Sequence, residues 1–211
     1  LAQALPLPDR GLDFGDGLFE TLLLVEGKPL HLELHLQRLQ AGIDVLGFPD
    51  CLAEVAKQIS AVISSRHVQG RAAMRVTLTR GAGPRGYSPP DKAKPRCVIS
   101  VSDDVEPPNI EMLPPARLIL ADIRWGNQPV LAGIKHLNRL EQVLAAQQRS
   151  AAGADEVIML DQEGFVISVS AGNIFIVEAG ELLTPALAHC GVLGTRRRLI
   201  LDTLAPVLNV P

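Results

Sequence analysis

Between residues 105 and 115 the chain reads VEPPNIEMLPP, with prolines at 107, 108, 114 and 115. Four prolines in so short a span exclude helix and interior strand, because each fixes φ and removes a backbone donor. The stretch reads as a linker, so each half must bury its own apolar surface. The chain has 211 residues and is 47% hydrophobic, enough for one large or two small cores. We expect an N-terminal α+β domain over 1–104, a linker over 105–114 and a C-terminal α+β domain over 115–211.

Periodicity fills in the first half. DRGLDFGDG reads as a glycine-rich turn, and Leu18 to Val25 as a short apolar strand closed by Glu26-Gly27. From Leu32 the period becomes helical: Leu32, Leu36, Leu39, Ile43 and Leu46 share one face, and Gly47 stops it. CLAEVAKQISAVISSRH reads as a second helix, AAMRVTLTRG as a strand, GAGPRGYSPPDKAKP as a loop and CVISVSDD as a buried strand.

In the second half ARLILADIRW is strand-like. After the turn LAG comes GIKHLNRLEQ, where Leu137, Leu140, Val143 and Leu144 recur at helical spacing to about Ser150, placing Lys135 at the mouth of an amphipathic helix. EVIMLDQEGFVISVS and NIFIVEAGELLTP read as hairpins, and GVLGTRRRLILDTLAPVL as a glycine turn opening a helix. There is no internal repeat, and no βαβ rhythm argues for a dinucleotide-binding domain.

Composition narrows the class. A net charge of −3 gives no global attraction to nucleic acid or an anionic membrane, and 3% aromatic content leaves TRRR without a stacking platform for single strands. Cys51, Cys97 and Cys190 are an odd, widely spaced set that suggests neither a disulfide framework nor a zinc site. No apolar run approaches a membrane span and no leader pattern opens the chain, so we expect a reduced, cytoplasmic protein without metal, membrane or nucleic-acid partners.

Four stretches carry candidate chemistry. GVLGTRR is either an ordinary helix start with solvated arginines or an anion site built from N-terminal amides. Arg38, one turn beyond His35, is either a surface arginine or one reaching inward to an anion. The loop TRGAGPRGYSPP carries Arg80, Arg85 and Tyr87, where a planar guanidinium fork and a hydroxyl suit carboxylates. Lys135 is either solvated or a nucleophile, with His136 and Arg139 as neighbouring charge.

In this order along the chain the stretches DRGLDFGDGLFET, HLQRL, GIKHLNRLEQV, SAGNIF and GVLGTRR resemble the fold-type IV pyridoxal-phosphate enzymes. That group includes branched-chain and D-amino-acid aminotransferases and 4-amino-4-deoxychorismate lyases. The resemblance implies a two-domain α+β fold with the cofactor between the domains, usually as a homodimer. It makes Lys135 the Schiff-base lysine, Arg38 a phosphate contact, Gly194, Thr195 and Arg196 the phosphate turn, and Ser168 and Asn173 neighbours of the pyridine ring. KHLNRLEQ, with Arg139 near where the aminotransferases carry a tyrosine, and TRGAGPRGYSPP look most like the lyases. These turn 4-amino-4-deoxychorismate, a cyclohexadiene dicarboxylate, into 4-aminobenzoate and pyruvate on the way to folate. Arg85 and Arg139 then become carboxylate clamps, and Thr21 or Tyr87 orients the enol ether.

Two departures from the group follow. Ser168 stands where a glutamate usually keeps the pyridine nitrogen protonated, which weakens the electron sink and suits elimination with aromatisation better than transamination. Relative to the group, an opening strand and the C-terminal strand with its Ser/Thr turn are expected to be missing from the chain as given. An aminotransferase for a D- or branched-chain amino acid, and a PLP-binding relative without turnover, are the alternative readings.

Overall fold

The structure, a computed structural model, describes residues 6–66, 68–103, 105 and 114–204. The chain divides into two compact units, Leu1–Pro108 with Lys135–Asn138, and Asn109–Ile134 with Arg139–Pro211. Most of the linker expected over 105–114 lies outside the described residues, as does the final helical stretch beyond 204.

GLFETLLLV organises the first unit. It forms strand β1 (Gly17–Val25), and its alternate side chains Leu18, Glu20, Leu22 and Leu24 are at most 2% exposed. β1 pairs antiparallel with β3 (Arg71–Thr79) from Gly17 opposite Thr79 to Val25 opposite Arg71. With β2 (Lys28–Pro29) and β4 (Arg96–Ser102) the sheet order is β2-β1-β3-β4. Helix α2 (Leu32–Leu46) packs on β1, and α3 (Leu52–Ser65) on β4. Leu39, Ile43, Val55, Ile59, Met74, Val76 and Leu78 complete this core. Each such side chain contributes about 1.5–3 kcal/mol by leaving water.

Two readings of this half are corrected. DRGLDFGDG holds a five-residue helix, α1 (Arg10–Phe14), capped by Asp9, whose carboxylate accepts the Gly11 N–H at 2.8 Å. One turn is too short to show a helical period. β4 is not a buried strand: its residues are half-buried or exposed, as at the edge of a sheet.

In the second unit β5 (Leu118–Leu120), β6 (Glu156–Leu160) and β7 (Val166–Val169) form one sheet, and β8 (Ile176–Glu178) with β9 (Glu181–Leu183) a separate hairpin. Both expected hairpins are present. Helix α4 (Leu140–Ala151) links β5 to β6, which are parallel, so a βαβ crossover exists that the sequence reading denied. Its first strand has only three residues and gives no periodic signal. Ala121, Trp125, Ala145, Val157, Met159, Ile167, Leu187 and Cys190 form the core. The stripe expected to bury α4 does not do so within this unit: Leu140, Val143 and Leu144 are exposed, and Ala145 is the buried position. Helix α5 (Thr195–Leu199) continues into a π-helical turn at Ile200–Leu204. Among the described residues no helix is long and apolar enough to cross a membrane.

Candidate active site

Lys135 does not open a helix. It begins a short extended strap in the first unit, and α4 starts only at Leu140. The Lys135 carbonyl accepts the Phe19 N–H at 2.9 Å, and the Leu137 N–H donates to the Gly17 carbonyl at 3.0 Å. His136 thereby stands opposite Leu18 on the edge of β1 that β3 leaves open. The Lys135 ammonium nitrogen lies 4.4 Å from the centre of the Phe19 ring, and the Arg75 guanidinium of β3 lies 4.0 Å from the same centre. Two cations on one ring make this an electropositive spot. Strand alternation puts Thr21, which is exposed, on the same face as Phe19. Thr21 thus lies further along the same strand face, and Lys135 shares the Phe19 ring with Arg75, which the sequence reading passed over. Its signal was a charge inside the otherwise uncharged run AAMRVTLT.

Arg38 reaches inward to an anion within the protein. Its Nε and Nη2 donate to the two oxygens of Glu20 at 2.8 and 2.5 Å. His35 Nδ1 stands 2.7 Å from the same carboxylate. Burial alone would raise the Glu20 carboxyl, but Arg38 and then His35 outweigh it and hold the group below the usual glutamate range. Glu20 leaves the strand face opposite Phe19. A glutamate at an inward position of β1 was the available sign of this buried pair.

Arg85 and Tyr87 are exposed on the loop that follows β3. At its root Gly81 has φ near +81°, and a Cβ there would meet the Lys94 carbonyl at 2.2 Å, so only glycine fits. Arg80 donates to Asp16 and to the carbonyls of Leu46 and Gly47, tying this root to the end of α2.

In the second unit the turn 191–194 is stitched to Gly133 by two backbone bonds, Gly133 N–H to Gly191 and Leu193 N–H to Gly133, each 3.0 Å. Lys135 follows two residues later. Gly194 is the N-cap of α5, and no side chain caps that first turn. A Cβ on Gly194 would sit 2.0 Å from Asn173 Oδ1, while Asn173 Nδ2 donates to the Val192 carbonyl at 3.0 Å. Asn173, Gly194, Thr195 and Arg196 are thus gathered at one turn. Arg139 Nη2 donates at 3.1 Å to the carbonyl of Ile134, the residue that precedes the lysine. Ser168 is buried on β7, and its hydroxyl accepts the Trp125 indole N–H at 3.1 Å.

The amino-transferase class IV family model matches residues 17–210. The chain belongs to that family. It is 32% identical to the aminodeoxychorismate lyase of Vibrio harveyi over 94% of its own length and 73% of that protein. It is also 32% identical to a putative branched-chain-amino-acid aminotransferase of Methanocaldococcus jannaschii, over 92% of this chain and 67% of that one. Among solved structures it superposes on the 4-amino-4-deoxychorismate lyase of Pseudomonas aeruginosa with a TM-score of 0.89 and 40% identity, covering 100% of this chain and 77% of the other. The expected fold type IV is borne out, in a chain shorter than these relatives.

The residues of this class IV chain suit its cofactor, pyridoxal phosphate. A helix start that no side chain caps, at a turn closed by Gly194 and Asn173, offers backbone N–H groups of the kind that bind phosphate. A lysine amine in an electropositive setting suits an aldehyde.

Proposed function

We propose that the chain is a pyridoxal-phosphate-dependent lyase that converts 4-amino-4-deoxychorismate into 4-aminobenzoate and pyruvate. The observation that carries this reading is Lys135 in its strap on β1, its amine over the Phe19 ring beside Arg75, within the segment KHLNRLEQ. The resemblance of that segment to the lyases, with Arg139 in it, supports a lyase over an aminotransferase.

The bound cofactor supplies an electron sink for the amine-bearing carbon. Gly194, Thr195, Arg196 and Arg38 would hold its phosphate, and Asn173 and Ser168 would serve its ring. Lys135 Nζ removes the proton from the amine-bearing ring carbon. The bond to the enolpyruvyl oxygen breaks, the ring becomes aromatic, and Lys135 returns a proton to the leaving enolpyruvate to give pyruvate. Arg85 and Arg139 clamp the two carboxylates, whose planar oxygens match guanidinium forks. Thr21 or Tyr87 orients the enol ether. The reading includes a cytoplasmic homodimer, which sedimentation of the purified protein and cell fractionation test.

The test is pyruvate release from 4-amino-4-deoxychorismate with no 2-oxo acid added. Lys135→Ala is expected to abolish release and to lose the cofactor label fixed at this position by borohydride and located by peptide mapping. A label retained in the variant refutes the role of Lys135. A D- or branched-chain aminotransferase is the second reading, favoured by the similarity to the Methanocaldococcus protein. Amino-group transfer to a 2-oxo acid without pyruvate release from aminodeoxychorismate would establish it.

A further inference from the structure

Residues 84–89 of the loop after β3 are all exposed, yet this tip is held by one buried side chain. Arg10, on α1, is 4% exposed. Its Nη1 donates to the carbonyls of Gly86 and Ser88 at 3.1 and 3.2 Å, and its Nη2 to that of Tyr87 at 2.7 Å. Its Nε donates to Asp16 at 2.8 Å. Three consecutive carbonyls therefore converge on one guanidinium. Its stem presses on Gly83, where a Cβ would meet the Arg10 Cδ at 2.6 Å. Its charged end lies 4.9 Å from the centre of the Phe14 ring, which in turn stands 5.4 Å from the Tyr87 ring. Asp16 also accepts from Arg80 at the loop's root. One carboxylate thus joins the cation that holds the tip to the cation that holds the base.

A sixteen-residue loop with four prolines does not need a buried arginine in order to exist. It needs one in order to keep a single shape. We propose that Arg10 is a positioning residue for substrate recognition: by fixing the carbonyls of Gly86, Tyr87 and Ser88 it presets Arg85 and Tyr87 to receive an anionic, carboxylate-bearing substrate. This rests on the lyase reading for the identity of that substrate, but the clamp itself does not. Preorganisation lowers the ordering cost of binding, so its loss falls on KM while the proton-transfer step keeps its rate. A lysine cannot replace the fork, because a point charge on a flexible stem cannot hold three carbonyls and a carboxylate in one plane.

Arg10→Lys keeps the charge beside Asp16 and most of the stem, and is the variant to compare with wild type. Two readouts apply to the holoenzyme: steady-state kinetics of pyruvate release, and the rate of trypsin cleavage at the Arg85–Gly86 bond followed by mass spectrometry. The expected result is a KM about tenfold higher with kcat within about twofold, and cleavage after Arg85 about tenfold faster. Unchanged KM overturns the proposal, whether or not cleavage accelerates. If the variant does not fold, wild-type cleavage decides: rapid nicking after Arg85 in the native protein overturns the clamp, and resistance there, despite the exposure of the bond, upholds it. If wild type releases no pyruvate, the lyase reading fails, and the cleavage comparison still judges the clamp.

Discussion

Replacing Glu20 by glutamine tests the electrostatic joint between β1 and α2. The wild-type carboxylate receives Arg38 Nε at 2.8 Å, Arg38 Nη2 at 2.5 Å and His35 Nδ1 at 2.7 Å. The side chains of Glu20, His35 and Arg38 are only 3%, 10% and 12% exposed. Glutamine has the same shape but no charge, and turns an N–H₂ toward two cationic or donor groups. Removing one partner of a buried pair strands the other, at a cost of about 3–5 kcal/mol. Urea unfolding followed by far-ultraviolet circular dichroism at pH 7 is expected to show a loss of that size. The sign of the pH dependence follows from the depressed carboxyl. Its folded value lies below the ordinary 4.5, so the stabilisation is complete above pH 4.5 and is lost as pH falls through the folded value. The gap between wild type and Glu20→Gln should therefore hold from pH 7 to about 5 and close in more acid solution. A variant within about 1 kcal/mol of wild type at pH 7, or a gap that stays constant into acid, would refute the reasoning.

Gly194→Ala places a methyl 2.0 Å from Asn173 Oδ1, forcing Asn173 off the Val192 carbonyl and opening the turn; retention of pyridoxal phosphate on dialysis is expected to weaken about 10- to 100-fold. Cys97 and Cys190 are pushed up to about 11, chiefly by burial. At pH 8 their reaction with a disulfide reagent should run on the order of a hundredfold slower than that of a free thiol, and rise with pH toward 10. Fast labelling of either thiol at pH 8 would contradict that placement.

The sequence alone determined what repeats locally. The apolar run from Leu18 to Val25, closed by Glu26-Gly27, marked β1, the helical period from Leu32 to Leu46 marked α2, Gly47 marked its end, and DQEG marked the β6–β7 turn, because each depends on neighbours within a few residues. It also placed Lys135, Arg38 and the GVLGTRR turn as candidates, through motif and order rather than geometry. Tertiary structure decided what those residues do. Helical spacing after Lys135 was real only from Leu140 onward; upstream, hydrogen bonds to Gly17 and Phe19, more than a hundred residues earlier, drew the chain out as a strap. The same spacing put Leu140, Val143 and Leu144 on one face of α4, yet period alone does not say what covers a face, and within this unit they remain exposed. Arg38 reads as a charge on a helix until the buried Glu20 of β1 is opposite it, and Arg10 as part of a turn until three carbonyls from residues 86–88 converge on it. Long-range pairing of charges and carbonyls leaves no period in the sequence, because the partners' separation along the chain is set by the fold and not by the local geometry of helix or strand.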